Sequence, residues 1–305
     1  GFASTTLVRP SLIDAERAQS LYDAMGPGRE VSGGSAANTL AGLSRLGHKT
    51  AFIGQVAQDQ LGDVFAHDIR ATGIDFDVPA RPGQPPTARC LILVTPDAQR
   101  TMNTFLGAAQ FLPETAIDKT KIEDAAWLYL EGYLWNAPES RAAMTGAIAI
   151  AKNAGRKVAL TLSDAFVVEG HRDEFFALMD DGSLDLLFAN DTEVRAMMQT
   201  DDTEAAVAAL AQRVPMLVCT HGAAGAEAHR GSEHARVGAE KVERVVDTTG
   251  AGDLFAAGVF AGIAQGRSLK DCLTMGAVCA AEVISHYGAR PEADIQKLVA
   301  ERLAS

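Results

Sequence analysis

The middle of the chain alternates short apolar runs with helical stretches, and this alternation restricts the possible folds more than any other feature of the sequence. Strands that are connected through helices form a parallel sheet with helices on both faces. We therefore predict a doubly wound α/β body. The four apolar runs are residues 127–130, 158–162, 184–188 and 216–219. A strand is also predicted at residues 50–53, and helices at residues 35–46, 59–72, 251–265 and 269–286.

Two β-rich runs lie outside this alternation and predict a small separate β element. Arg89–Val94 and Arg100–Phe105 flank Pro96-Asp97, a dipeptide typical of a tight turn, so the two runs should pair as a hairpin. Prolines bound this region, and we expect it to stand off the body as a lid. The predicted body comprises residues 35–83 and 111–305, and the predicted lid segments are residues 1–34 and 84–110.

The charge of the chain argues against two classes of partner. It has 27 Lys and Arg against 39 Asp and Glu, a formal net charge of −12. No cluster of basic residues offsets this charge, so we expect neither a nucleic acid nor an anionic membrane surface as partner.

Two further features predict a cytoplasmic protein, which we expect to be a monomer or a homodimer. No apolar run approaches the roughly 20 residues of a membrane helix, and the first residues lack the pattern of a secretory signal. The four cysteines have no metal-ligand spacing, which indicates buried free thiols in a reducing compartment.

The strongest local pattern is Val-Asp-Thr-Thr-Gly-Ala-Gly-Asp at residues 246–253, which predicts a glycine-rich turn leading into a helix. The backbone N–H groups of Gly250, Ala251 and Gly252 can approach an anion closely, and the helix dipole favours negative charge there. Asp253 would lie beside this anion hole. A carboxylate in that position can take the proton of a hydroxyl group during phosphoryl transfer. The alternative is an ordinary loop with an acidic residue at a helix start.

Three other nucleotide-binding patterns are absent from the sequence. Phe255 stands where a dinucleotide fingerprint needs its third glycine, and no Gly-Lys pair exists for a Walker A loop. The triplet His171-Arg172-Asp173 lacks the downstream asparagine of a protein-kinase catalytic loop.

A second pattern, Ser-Gly-Gly-Ser-Ala-Ala-Asn-Thr at residues 32–39, places two glycines before a helix of small residues. Gly33 and Gly34 would let a ligand lie against the backbone at the helix start. Asn38, one turn further on, can both donate hydrogen bonds to hydroxyl groups and accept them. The alternative is a tightly packed helix with a glycine hinge.

Together these patterns resemble the PfkB, or ribokinase-like, family of carbohydrate and nucleoside kinases. The resemblance implies the family's fold, a three-layer α/β/α doubly wound sheet with a small β lid. Four segments carry it in the family's order: residues 33–38 with Gly54, Asp59 and Gly62, then residues 190–193, residues 220–225 and residues 247–253.

The resemblance implies that Asp253 is the catalytic base and that residues 250–252 form the anion hole. Asn190 and Glu193 match the family's Asn-x-x-Glu element, which acts on Mg²⁺ and phosphate through water. ATP and Mg²⁺ are therefore the implied co-substrate and cofactor.

The resemblance also implies binding roles for two further groups of residues. Thr220, Gly222 and Gly225 match the family's nucleotide loop. Asp247 and Thr249 match positions that hold a monovalent cation such as K⁺ in some members.

Within the family, the lid and one strand end are similar to those of adenosine kinases and bacterial nucleoside kinases. Arg100, Met102 and Phe105 lie in the lid run, and Tyr133 follows the strand end beneath the base pocket. An apolar wall of Met102, Phe105 and Tyr133 would suit a purine; the alternative is lid or core packing. The resemblance implies phosphorylation of the 5'-hydroxyl of a purine nucleoside, adenosine first. The other hypotheses are a kinase for ribose, fructose or a 2-keto-3-deoxy sugar acid, and a non-catalytic nucleotide sensor.

The N-terminus departs from the family pattern. Members usually begin with a strand of the Gly-x-Asn-x-x-x-Asp kind, whose aspartate holds sugar hydroxyls, and no such strand precedes Gly33 and Gly34. We therefore expect this strand to be missing from the chain as given.

Overall fold

The N-terminal third contributes a small three-stranded sheet. A computed structural model describes residues 11–95 and 100–304. The strands of this sheet are β1 (Ser11–Leu12), β2 (Arg89–Val94) and β3 (Arg100–Phe105). In the sheet, β3 pairs antiparallel with β2 and parallel with β1. The predicted hairpin is thus confirmed, while its predicted turn, Pro96-Asp97, lies outside the described residues.

In the described part of the chain, the main sheet has six strands in the order in which they occur along the sequence. The first four are parallel, and the last two form an antiparallel hairpin at one edge. The patterns predicted the parallel strands but not this hairpin. The strands are β4 (Trp127–Glu131), β5 (Lys157–Thr161), β6 (Leu186–Asn190), β7 (Met216–Thr220), β8 (Ala226–Arg230) and β9 (Glu233–Val237).

Helices cover both the lid region and the main sheet. Several helices start after an Asp or Ser whose side chain accepts a hydrogen bond from a backbone N–H of the first turn. Asp59, for example, accepts one from the N–H of Gly62. The helices are α1 (Ala15–Ala24), α2 (Ser35–Arg45), α3 (Gln60–Ala71), α4 (Lys119–Asp124), α5 (Pro138–Asn153), α6 (Ala165–Asp180), α7 (Asp191–Met198), α8 (Thr203–Leu210), α9 (Ala251–Ala264), α10 (Leu269–Val283) and α11 (Ile295–Ala304).

Successive side chains of the central strands enter two separate cores. Leu187 and Leu217 pack with α5 to α8 on one face, whereas Phe188 and Val218 pack with α9 and α10 on the other. Both faces are therefore buried, which explains why these strands are apolar throughout. The predicted three-layer α/β/α architecture with a small β lid is confirmed.

Helix α9 packs directly against the backbone of α10. A Cβ atom on Gly258 would collide with the carbonyl oxygen of Met275, and one on Gly276 would lie 2.8 Å from the carbonyl oxygen of Phe255. The two glycines thus allow α9 and α10 to approach closely, and this contact determines the distance between the two helices.

Two details differ from the sequence-based expectations. The strand predicted at residues 50–53 is wrong: this segment makes only an isolated bridge, between Ala51 and Asp75. Its apolar character comes instead from Phe52, which packs against the rings of Phe65 and Phe76. Among the cysteines, Cys90 is exposed rather than buried, because it lies on the small lid sheet. None of the helices described is long and apolar enough to cross a membrane.

Candidate active site

A cleft runs along the whole of β4 and past the carboxyl ends of β5, β6 and β7, the end of the sheet where ligands of doubly wound folds bind. Its walls include the starts of α2 and α9 and the lid strands β2 and β3.

Asp253 lies in the first turn of α9 and faces the start of α2 across the cleft. Its Oδ1 accepts a 2.7 Å hydrogen bond from the Ser35 hydroxyl, and its Oδ2 accepts one of 2.8 Å from the Asn38 side-chain nitrogen. These bonds join the two strongest sequence patterns in space and hold the carboxylate in one orientation.

Glu131, which the sequence patterns did not single out, is a second carboxylate of this site. It ends β4, and its Oε1 lies 2.5 Å from the Ser35 hydroxyl that also contacts Asp253. Burial, together with the charge of Asp253, raises the pKa of Glu131 to about 8. One signal could have identified it: a carboxylate directly after an apolar strand stands at the ligand-binding end of the sheet.

The glycine-rich turn before α9 has two glycines with different constraints. Gly250 has φ +81°, and a Cβ atom there would lie 2.7 Å from the Cβ atom of Ala289. Gly252 has open space around it instead: a Cβ atom there would have no neighbour within 4 Å, and the cleft lies beside it. The N–H groups of a first helical turn have no partner within the helix, so they can donate to an anion.

Asp247 stabilises the same turn through hydrogen bonds. Its Oδ1 accepts hydrogen bonds from the backbone N–H (2.9 Å) and the hydroxyl (2.6 Å) of Thr249, and its Oδ2 accepts one from the N–H of Gly288 (3.3 Å). The side chain is buried, so these donors replace the water that it loses. A monovalent cation at Asp247 and Thr249 stays a prediction.

Asn190 and Glu193 form a reciprocal capping box at the start of α7. The two Glu193 oxygens accept from the backbone N–H and the side-chain nitrogen of Asn190, at 3.0 and 2.6 Å. Burial, together with the charge of Asp164, raises the pKa of Glu193 to about 7. Both residues line the cleft, and carboxylate oxygens are ligands that Mg²⁺ prefers, so this group fits the metal. Because Asn190 already engages both oxygens, contact through water is the natural arrangement.

The residues predicted for substrate binding come from three elements around the cleft. Gly33 and Gly34 line it before α2, and Gly34 adopts φ +94° as the N-cap. From the lid, Met102 and Phe105 line it, and Phe105 is the more buried of the two. Tyr133 lines the cleft after β4 and is 39% exposed. The side chain of Arg100 lies outside the described part of the protein.

The residues predicted for nucleotide binding separate into two groups. Thr220 ends β7 beside Asn190 and lines the cleft. Gly222 and Gly225 lie beyond the lining residues. Gly225 has φ +102°, and a Cβ atom there would collide with the carbonyl oxygen of Val237, so it allows the close approach of β9.

A carboxylate beside a glycine-rich helix start, at the ligand-binding end of a doubly wound sheet, is the arrangement of a phosphotransferase that acts on a hydroxyl group. The sequence bears this out: residues 10–296 match the pattern of the pfkB family carbohydrate kinases. The chain belongs to this family. The predicted family, fold and enzyme class are thus confirmed.

Relatives in the family carry both nucleoside-kinase and sugar-kinase names. The structure of adenosine kinase from Sinorhizobium meliloti is 45% identical, with a TM-score of 0.92 over 96% of this chain and 89% of that one. A probable sugar kinase protein from Rhizobium etli CFN 42 is 44% identical, with a TM-score of 0.94 and the same coverage of 96% and 89%. Probable fructokinase-7 of Arabidopsis thaliana is 27% identical over 299 residues, which cover 91% of this chain and 85% of that protein.

Proposed function

We propose that this kinase transfers the γ-phosphate of ATP to the 5'-hydroxyl of a purine nucleoside, with adenosine as the first candidate. The observation that carries this proposal is the apolar wall of the cleft. Met102 and Phe105 from the lid and Tyr133 after β4 line the same cleft as Asp253. A free sugar presents hydroxyl groups in every direction, whereas a purine offers flat faces that such side chains can cover. The likeness to the adenosine kinase of Sinorhizobium meliloti also supports it.

Asp253 is the proposed catalytic base. The acceptor hydroxyl would give its proton to a carboxylate oxygen of Asp253 while its oxygen attacks the γ-phosphorus of ATP. The bond from that phosphorus to the bridging oxygen would break, and ADP would leave. The N–H groups of Gly250, Ala251 and Gly252 would stabilise the negative charge that moves across the phosphate. Since Ser35 and Asn38 already donate to Asp253, the carboxylate is oriented before the acceptor arrives.

The nucleotide and its metal would bind in the part of the cleft lined by Asn190, Glu193 and Thr220, whereas the acceptor hydroxyl would lie at Asp253. Asn190 and Glu193 are proposed to hold Mg²⁺ through water, and Thr220 to line the nucleotide site, with Gly222 and Gly225 shaping its loop. Bound Mg²⁺ would supply positive charge that offsets the phosphate oxygens. A K⁺ ion near Asp247 and Thr249 is a further proposal.

The lid sheet is proposed to close over the acceptor. It contributes the wall residues Met102 and Phe105, and its movement as a unit is part of the proposal. Closure would exclude water, which otherwise competes with the acceptor hydroxyl for the γ-phosphate. We also propose a cytoplasmic location for the enzyme.

A sugar kinase is the second candidate function. The probable sugar kinase protein of Rhizobium etli and the fructokinases among the relatives favour it. A nucleotide sensor on the same fold is the third, and it would bind ATP without turnover.

A substrate panel with one lid variant tests the proposal. With ATP and Mg²⁺, we expect kcat/KM for adenosine to exceed that for ribose and fructose. Met102→Ala should reduce kcat/KM for adenosine by about 10–100-fold, since an apolar contact of this size is worth about 1–3 kcal/mol. Activity on a free sugar should hardly change. The matched control is Leu93→Ala, because Leu93 is an exposed lid residue that does not line the cleft.

Three outcomes would contradict the proposal. Turnover of ribose or fructose alone would move the function to a sugar kinase. Binding of ATP without turnover of any acceptor would favour the sensor. Equal losses on adenosine and ribose in Met102→Ala would mean that Met102 only holds the lid together.

A further inference from the structure

The outer hairpin of the main sheet, β8–β9, carries a cluster of two histidines and one glutamate. Glu227 and His229 are two residues apart on β8, so their side chains leave the same face of the strand. His234 lies on β9 directly opposite His229. The register of the hairpin therefore brings all three side chains together, and none of them lines the cleft that contains Asp253.

Both histidines point at the same carboxylate oxygen. The Nε2 atoms of His229 and His234 lie 3.1 and 2.9 Å from Oε2 of Glu227, and the two rings stack with their centroids 4.3 Å apart. One ligand atom from each residue lies within 4.8 Å of the other two. In a tetrahedral zinc site with bonds of about 2.0–2.2 Å, neighbouring ligand atoms are about 3.3–3.6 Å apart. Small side-chain rotations are thus sufficient to reach that geometry.

We propose that His229, His234 and Glu227 bind one divalent transition-metal ion of the zinc class, with water as the fourth ligand. Imidazole and carboxylate together favour such an ion over Mg²⁺ or Ca²⁺, which prefer oxygen ligands alone. The side chain of His234 is 50% exposed, so the ion can enter from solvent, while that of Glu227 is only 12% exposed.

A neighbouring histidine orients the glutamate for this role. Nε2 of His221 lies 2.9 Å from Oε1 of Glu227, the oxygen that does not face His229 and His234. A partner behind a ligating carboxylate fixes its direction and strengthens metal binding. The inner group of Asp191, Cys219 and His221 is less suited to an ion, because both ring nitrogens of His221 already contact carboxylates.

Metal titration of the full chain, without a polyhistidine tag and without nucleotide, tests the site. Calorimetry with ZnCl₂ should give about one equivalent of tight binding, and Co²⁺ should develop visible absorption bands on binding. His229→Ala and His234→Ala should each weaken Zn²⁺ binding by at least about 10–100-fold, the loss typical of removing even an outer partner of a metal ligand. The isosteric Glu227→Gln should weaken it as well. His67→Ala is the control, since His67 is exposed on α3.

Three results would overturn the metal site. These are no Zn²⁺ binding to the unaltered protein, unchanged binding in His229→Ala and His234→Ala, or an equal loss in His67→Ala. Circular dichroism of each variant verifies its fold, and His234 is exposed enough for its alanine variant to fold. If His229→Ala does not fold, His234→Ala and Glu227→Gln decide the question. The measurement needs no kinase activity, so it is independent of the proposed substrate.

Discussion

The side-chain nitrogen of Asn38 donates a 2.8 Å hydrogen bond to Oδ2 of Asp253, although 215 positions separate the two residues. The other polar atom of this amide, Oδ1, is buried and has no hydrogen-bond partner among the described residues. A buried acceptor without a donor is costly, so a hydroxyl group of a bound acceptor would be stabilised here. Asn38 can thus hold the proposed base and the substrate at once.

Asp253→Asn should lower kcat by about 10²–10⁴-fold while ATP binding is kept. The amide cannot take the proton of the acceptor hydroxyl, whereas the backbone donors of the turn are unchanged. Steady-state kinetics and ATP titration measure the two effects. Asp63→Asn is the control, because Asp63 lies in the first turn of α3 and is exposed. A kcat within tenfold of the parent would remove Asp253 from the role of base.

Gly250→Ala and Gly252→Ala should separate folding from catalysis. At Gly250 the positive φ alone costs about 1–3 kcal/mol for alanine, and the added methyl group would also press on Ala289. We expect a clearly lower melting temperature. At Gly252 the methyl group would enter the open cleft, so stability should hold while kcat falls by about 10²-fold through a misplaced phosphate. Full activity in Gly252→Ala would argue against an anion hole at this turn.

Glu193→Gln should raise the Mg²⁺ concentration needed for the half-maximal rate, with a smaller effect on the KM of the acceptor. Through its single amide oxygen, glutamine can still accept the hydrogen bond from the backbone N–H of Asn190, so the capping box and the fold should survive, whereas the bond from the Asn190 side-chain nitrogen is lost. Glu204→Gln is the matched control, because Glu204 is also in a first helical turn but is exposed. An unchanged Mg²⁺ titration would leave Glu193 with the capping role alone.

Glu131→Gln should change how stability depends on pH. The pKa of Glu131 is about 8 in the folded protein, above its ordinary value of 4.5, so the folded state binds this proton more tightly than the unfolded state does. The resulting stabilisation is complete below pH 4.5 and is lost as the pH rises through about 8. Glutamine mimics the protonated form at every pH.

Denaturant unfolding at pH 5 and pH 9 provides the measurement for Glu131. The free energy of unfolding of Glu131→Gln, relative to that of the unaltered protein, should be larger at pH 9 than at pH 5. The relative free energy of unfolding of Glu204→Gln should be the same at both pH values. A difference that is independent of pH would show that Glu131 keeps the same charge in both states.

The sequence was sufficient to predict local structure wherever all the residues of a feature lie in one short segment. The turn before Asp253 is such a case, since its glycines and the carboxylate are adjacent. Ser35 and Glu131 could not be linked in this way, because they meet only when α2 and β4 reach the same end of the sheet. Strand β9 was missed for a different reason: three of its five residues are exposed and two of them, Glu233 and Arg236, are charged, so no apolar run marks the strand.

The backbone contact between α9 and α10 determines where the protein can tolerate mutation. Gly258 lies about one and a half helical turns beyond Asp253, and a larger residue there would push α9 away from Met275. The displacement would carry the turn and the carboxylate with it. Random mutagenesis should therefore recover inactive proteins altered at Gly258 or Gly276, although neither residue lines the cleft.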